Sequence, residues 1–347
     1  MCGDGSNDIG ALKAAHVGVS IISVPDLECK QRDALDAIKS KTNKKSRDKK
    51  SKRAEMKQVD GYLKALAEAE DELQHVNLGN ASVASPFTAR KTSIRCCKDI
   101  LQQGRCTLVT MIQIYKILGV NCLVTALVLT KLHQAGVKQG DRQMTAQGIV
   151  IAGLFLFVTR GKPISKLSKQ KPPSSILSIT TSISMTVQFV VHFATIMAVT
   201  CMSETFVDPY DPSMVPDGPF VPNTLNTSTF LVTMLVMINT FVVNYAGRPF
   251  VENLNENRLL FRSIVFCYFV LFVCAMDIFP PLNQLLQLSS LPSKKEARVY
   301  IEGSLNTINQ AAETFGFRTL LSALMCLDTA CVMAFESLLR KWSGRFS

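Results

Sequence analysis

The sequence predicts a mainly α-helical polytopic membrane bundle of six transmembrane helices, preceded by a short α/β segment. Composition is the first reason: 47% of the 347 residues are hydrophobic and only 19% are charged, too apolar for a wholly soluble protein of this size. The second is length, because apolar runs recur after Cys106 at the roughly 20 residues that a hydrocarbon core of about 30 Å requires. The third is the opening segment, where a Gly/Asp loop leads through a helical stretch into a short β run.

Residues 1–37 form the α/β segment. Ser6 to Ala15 reads as helix, and Val17-Gly18-Val19-Ser20-Ile21-Ile22 reads as a buried parallel strand bounded by Pro25. Met1 enters a loop directly, without a signal peptide. A piece this small cannot bury a core of its own, so it is expected to be the edge of a larger domain or to dock on another chain. Residues 38–80 read as a basic, solvated insertion with a short amphipathic helix over 60–75. The net charge of +11 resides largely in the block from Lys30 to Lys57, which holds twelve Lys/Arg against four Asp/Glu. This block lacks interleaved aromatics and precedes the apolar runs, which argues against nucleic acid as a partner and leaves anionic lipid headgroups as an option. Residues 81–105 return the chain to the membrane.

Within 106–347 the six spans are expected at about 106–130, 143–159, 176–201, 229–246, 260–279 and 315–339. Loop charge sets their orientation. The 160–175 loop carries Arg160, Lys162, Lys166, Lys169 and Lys171 with no acid, and the tail carries Arg340, Lys341 and Arg345, so both are expected in the cytosol. The 202–228 loop has Glu204, Asp208, Asp211 and Asp217 but no Lys or Arg, so it is expected to be lumenal or extracellular. An even number of spans returns the N-terminus to the cytosol. The Asn226-Thr227-Ser228 sequon lies almost on the start of the fourth span, a poor place for a glycan. The eleven cysteines show no metal-type CxxC spacing and read as buried or cytosolic thiols, with only Cys96 and Cys97 adjacent.

Glycines at 3 and 5 allow a tight turn that brings Asp4 to a loop mouth, while Asn7 and Asp8 open a helix whose positive end favours an anion. A carboxylate there suits Mg2+ beside a phosphoryl group; an Asp/Gly turn capping a helix is the plainer alternative. The full run GDGSNDIGALKAAHVGVSII resembles the hinge segment of the phosphorylation domain of P-type ATPases, whose usual form is GDGxNDxxALKxAxVGIA. The resemblance implies a haloacid-dehalogenase-like fold for the opening segment, with Asp4 binding Mg2+, Asn7 contacting the phosphoryl group and Asp8 supporting the loop. Lys13 would sit in the helix that continues into the domain. Further segments resemble the type 5A, endoplasmic-reticulum branch: Met1-Cys2, Ala84 to Thr88, Gln103 to Thr110, Lys116 to Leu118, Gln188 to Phe193 and Asn244 to Phe250. That branch implies ATP-driven extraction of misinserted transmembrane helices through an aspartyl-phosphate, with a helical polypeptide and the lipid bilayer as partners. Wider family membership implies cation transport. The chain lacks the Asp-Lys-Thr-Gly-Thr phosphorylation sequence, the dephosphorylation loop and any nucleotide-binding domain. It is therefore expected to be the C-terminal part of a larger enzyme, inactive alone, with ATP bound elsewhere. A non-catalytic polytopic fragment is the alternative.

Polar residues inside the spans complete the candidates. Asp328 lies mid-span, where a carboxylate costs about 2.5–3.5 kcal/mol to insert, so it is expected either to be paired within the bundle or to handle substrate. Asn121 and Asn239 fit interhelical hydrogen bonds or ligands. Gln188 and His192 are four residues apart and share a helix face, where the histidine suits packing or proton relay.

Overall fold

The computed structural model describes residues 1–3, 6–21, 85–89, 93–173, 175–207, 220–292 and 315–343. Asp4, the 38–80 insertion with its 60–75 helix, and Asp208, Asp211 and Asp217 lie outside the described residues. The chain divides into two units, Met1–Leu101 and Gln102–Ser347.

In the first unit, β1 (Cys2–Gly3), β2 (Val19–Ile21) and β3 (Phe87–Ala89) form a parallel sheet in the order β1-β2-β3. Cys2 pairs with Val19, and Val19 in turn with Phe87. A single 3-10 turn over Ser6–Asp8 leads into α1 (Ile9–Ala14), so the expected helix is present but split. Leu12 on α1 and Val19 on β2 are both buried. Gly18 allows a close approach to α1: a Cβ on it would stand 2.7 Å from the Leu12 carbonyl oxygen.

The second unit is helical. The long helix α2 (Arg95–Gln134) begins in the first unit and is followed by α3 (Asp141–Val158), α4 (Ile179–Glu204), α5 (Thr224–Asn244), α6 (Arg258–Ala275), α7 (Pro280–Leu285) and α8 (Phe317–Ser343). Among the described residues, five helices are long and apolar enough to cross a membrane: α2, α4, α5, α6 and α8. The second expected span corresponds to α3, which is as long as α6 but starts with Asp141-Arg142-Gln143, and these polar residues lower its mean hydropathy.

Side-chain spacing explains how these helices bury. On α2, Val109, Gln113, Ile117, Val120, Val124 and Val128 recur at three- and four-residue intervals and face inward. Leu108, Met111, Tyr115, Leu118 and Leu123 point outward, apolar on the side that in water would be polar. Such an outside fits lipid. The helix α5 differs: every residue except Thr224 and Val242 is buried. It packs against α4, α6 and α8, and α8 packs most extensively on α4.

Polar caps mark the helix starts. Ser178, Asn223 and Asn257 accept from the backbone N–H of Thr181, Asn226 and Leu260 at 3.3, 2.7 and 3.3 Å. The sequon is therefore part of a helix. Asn226 is fully buried; its Nδ2 donates to the Lys138 carbonyl at 2.8 Å and its Oδ1 accepts from Gln143 Nε2 at 2.7 Å. A glycan cannot attach to an amide nitrogen held this way. Endoglycosidase treatment of the membrane-expressed chain should leave its gel mobility unchanged; a shift lost in Asn226→Gln would show the helix start to be open.

Candidate functional site

Four polar residues on α4, Ser184, Gln188, His192 and Thr195, recur at intervals of four, four and three and so lie along one face. All four are turned toward α5 and α8, and they form two clusters of polar contacts within the helical unit.

The first cluster centres on Asp328 of α8. Its Oδ1 accepts from Thr195 Oγ1 at 2.9 Å, and its Oδ2 accepts from Asn239 Nδ2 at 3.1 Å. His192 Nδ1 stands 3.0 Å from both carboxylate oxygens. Asn239 also donates to Thr329 Oγ1 at 3.0 Å and accepts from the Tyr268 hydroxyl at 2.5 Å. Three helices, α4, α5 and α8, thus meet at one carboxylate, and α6 joins them through Tyr268 on Asn239. Both side chains of the His192–Asp328 pair are without solvent exposure. Such a pair is tolerable in an apolar surrounding because each carboxylate oxygen has two partners. His192 Nε2 is buried and has no partner among the described residues.

The second cluster centres on Glu336, two helical turns further along α8. Ser184 donates to its Oε2 at 2.7 Å, while Lys116 Nζ and Arg340 Nε each lie 3.5 Å from its Oε1. Gln188 and Asn244 exchange two amide hydrogen bonds at 3.0 and 2.9 Å, and Gln188 also reaches Ser184 at 3.0 Å. A cavity of about 410 Å3 opens beside this group, lined in part by Gln113, Lys116, Ser184, Asn244, Glu336 and Arg340. Lys116 and Arg340 compensate the charge of Glu336, and the cationic excess faces the cavity.

In the first unit, Asp4 follows directly in sequence on the carboxyl end of β1, the end at which open parallel sheets bind ligands. Asp8 lies beneath Gly3: a Cβ at Gly3 would come 2.5 Å from Asp8 Oδ2, so only glycine fits. Asn7 and Asp8 occupy the 3-10 turn that leads into α1.

No family model matches the chain. Over 88% of its length it is 36% identical to a probable manganese-transporting ATPase of Arabidopsis thaliana. It is 32% identical over 83% of its length to an endoplasmic reticulum transmembrane helix translocase of Saccharomyces cerevisiae, and 30% identical over 99% to one of Schizosaccharomyces pombe. The chain belongs to the type 5A P-type ATPases. It spans 28%, 29% and 31% of the lengths of these three relatives. The helical unit of this ATPase chain, with its five candidate spans, is consistent with the membrane region of the family.

Of the polar residues singled out in the spans, the structure brings Asp328, Asn239 and His192 into direct contact. Gln188 lies in the neighbouring cluster with Glu336. Asn121 stands apart, accepting from Thr240 at 3.2 Å while its Nδ2 has no partner among the described residues. Sequence reasoning passed over Glu336, Ser184, Thr195 and Tyr268, and took Lys116 and Asn244 only as part of the family resemblance. A signal for two of these was present: Ser184 and Thr195 continue the spacing set by Gln188 and His192.

Proposed function

We propose that this chain is the C-terminal part of an ATP-driven translocase of the endoplasmic reticulum membrane that works through an aspartyl-phosphate and extracts misinserted transmembrane helices. The observation that carries the ATPase reading is the GDGSNDIGALK run placed after a parallel strand, in a chain whose relatives include two endoplasmic reticulum helix translocases. In this reading residues 1–37 are the end of the phosphorylation domain and 38–80 an insertion; the 81–105 segment first adds the strand Phe87–Ala89 to that domain's sheet, a correction to its boundary, and then returns to the membrane, and 106–347 is a six-span domain that includes α3. Both chain ends lie in the cytosol.

The donor set fits Mg2+. Asp4, Asn7 and Asp8 each offer a side-chain oxygen within five consecutive residues, and Mg2+ takes one or two carboxylates with phosphate and water. The ion would supply charge neutralisation at the phosphoryl group. Asp4 would bind it, Asn7 would contact the phosphoryl oxygens, and Asp8 would support the loop from beneath Gly3. ATP would be bound by regions outside these residues.

A helical cargo is favoured over a cation by the state of the two buried carboxylates. Asp328 is held by His192, Thr195 and Asn239, and Glu336 is shared by a serine and two cations, so every oxygen of both carboxylates already has a protein partner. The manganese-transporting relative favours the second reading, cation transport. The two are separated with the complete gene product in proteoliposomes. Release of a mistargeted tail-anchored helix on ATP addition, without Mn2+ uptake, is the expected result. ATP-dependent Mn2+ uptake without helix release would overturn the cargo assignment. An antibody against residues 202–228 should detect a product roughly three to four times the mass of these 347 residues, as the 28% share predicts; a product of only 347 residues would exclude autophosphorylation.

A further inference from the structure

The first unit contains a second group of metal-type ligands, chemically unlike the oxygen-rich GDGSND loop. Cys2 of β1 lies beside Cys96 and Cys97 in the first turn of α2, and the three sulfurs are all within 4.8 Å of one another. None is in a disulfide, and all three are partly exposed and so open to an incoming ion. Thiolates around one Zn2+, with Zn–S near 2.3 Å, sit roughly 3.8 Å apart, so the three need close only slightly to share a centre. One competing contact is present: Cys96 Sγ lies 3.3 Å from the Ser93 carbonyl oxygen.

We propose that Cys2, Cys96 and Cys97 form a three-thiolate site for a single thiophilic d10 cation of the Zn2+ or Cu+ type, with its fourth position open to water. Sulfur donors select such ions over Mg2+, so the site is chemically separate from the loop that begins two residues later at Asp4. Binding exchanges each S–H proton for a metal–sulfur bond and involves no change of oxidation state. An ion here would tie the strand entering the GDGSND loop to the first turn of the long helix. No spacing rule reveals such a site, because Cys2 and Cys96 are far apart in sequence and an adjacent Cys-Cys pair is not a chelating motif.

The test uses the complete gene product in nanodiscs under a phosphine reductant, with Zn2+ and Co2+ as probes. Wild type should hold one equivalent of Zn2+ against a chromophoric chelator, and Co2+ should give the near-ultraviolet sulfur-to-metal charge-transfer band. C96S/C97S should lose that equivalent and that band, whereas serine at the exposed Cys122, Cys201, Cys326 and Cys331 should preserve both. Wild-type protein provides a readout that needs no variant: Zn2+ should slow alkylation of Cys2, Cys96 and Cys97 together, mapped by mass spectrometry. Equal Zn2+ retention by C96S/C97S, or protection that omits Cys2, would overturn the proposal, as would a Cys2 disulfide persisting under the reductant.

Discussion

Replacing Asp328 by leucine is expected to destabilise the helical unit by about 3 kcal/mol. The substitution removes the shared acceptor of His192, Thr195 and Asn239 and leaves their donors in an apolar interior. Interhelical hydrogen bonds in membranes average only about 0.6 kcal/mol each, because the unfolded chain finds other partners in the bilayer. Three such bonds give about 2 kcal/mol, and the imidazole Nδ1, buried and left without its partner, adds the cost of an uncompensated polar group. The measurement is the unfolding midpoint of the solubilised chain in a denaturing-detergent titration. The double variant His192→Leu with Asp328→Leu should cost less than the two single changes added together, since each removes the other's orphan. Strict additivity would mean that the pair is not coupled, and an Asp328→Leu protein as stable as wild type would remove its structural role altogether.

Asp4→Asn in the complete gene product should lower ATP turnover by about a thousandfold. On the proposed reading Asp4 holds Mg2+ at the phosphoryl group, and the loss of one anionic ligand corresponds to roughly 4 kcal/mol of transition-state stabilisation. Phosphoenzyme formation from labelled ATP is the direct readout. The variant should need far more Mg2+ to reach half-maximal labelling. Turnover above a tenth of wild type at unchanged Mg2+ dependence would remove Asp4 from the metal site.

What was legible in the sequence followed from local rules. The parallel strand at Val19, the helix ahead of it and the five apolar helices are short-range patterns of residue type. Asp328 stood out because a lone carboxylate in an apolar run has no cheap explanation. Its partners did not, since Thr195 and Asn239 lie 133 and 89 residues away on other helices and are ordinary residues there. Glu336 was hidden by Arg340, four residues later, which makes it resemble one half of an exposed ion pair at a membrane edge. The three-cysteine group was illegible because it depends on a strand meeting a helix end. The sequon was legible as a motif, but only burial reveals that Asn226 already serves as an internal tie.

The enclosure of α5 on all sides has a consequence for how this protein can change over generations. A helix that faces lipid on one side can exchange leucine for valine or phenylalanine there freely, because acyl chains adapt to any apolar shape. With neighbours around almost its whole circumference, α5 has no such tolerant face. A swap as mild as Val236 to Phe must displace protein rather than lipid. Mutational drift in this bundle should therefore accumulate on the outward faces of α2 and α6, and α5 should be the slowest helix to diverge.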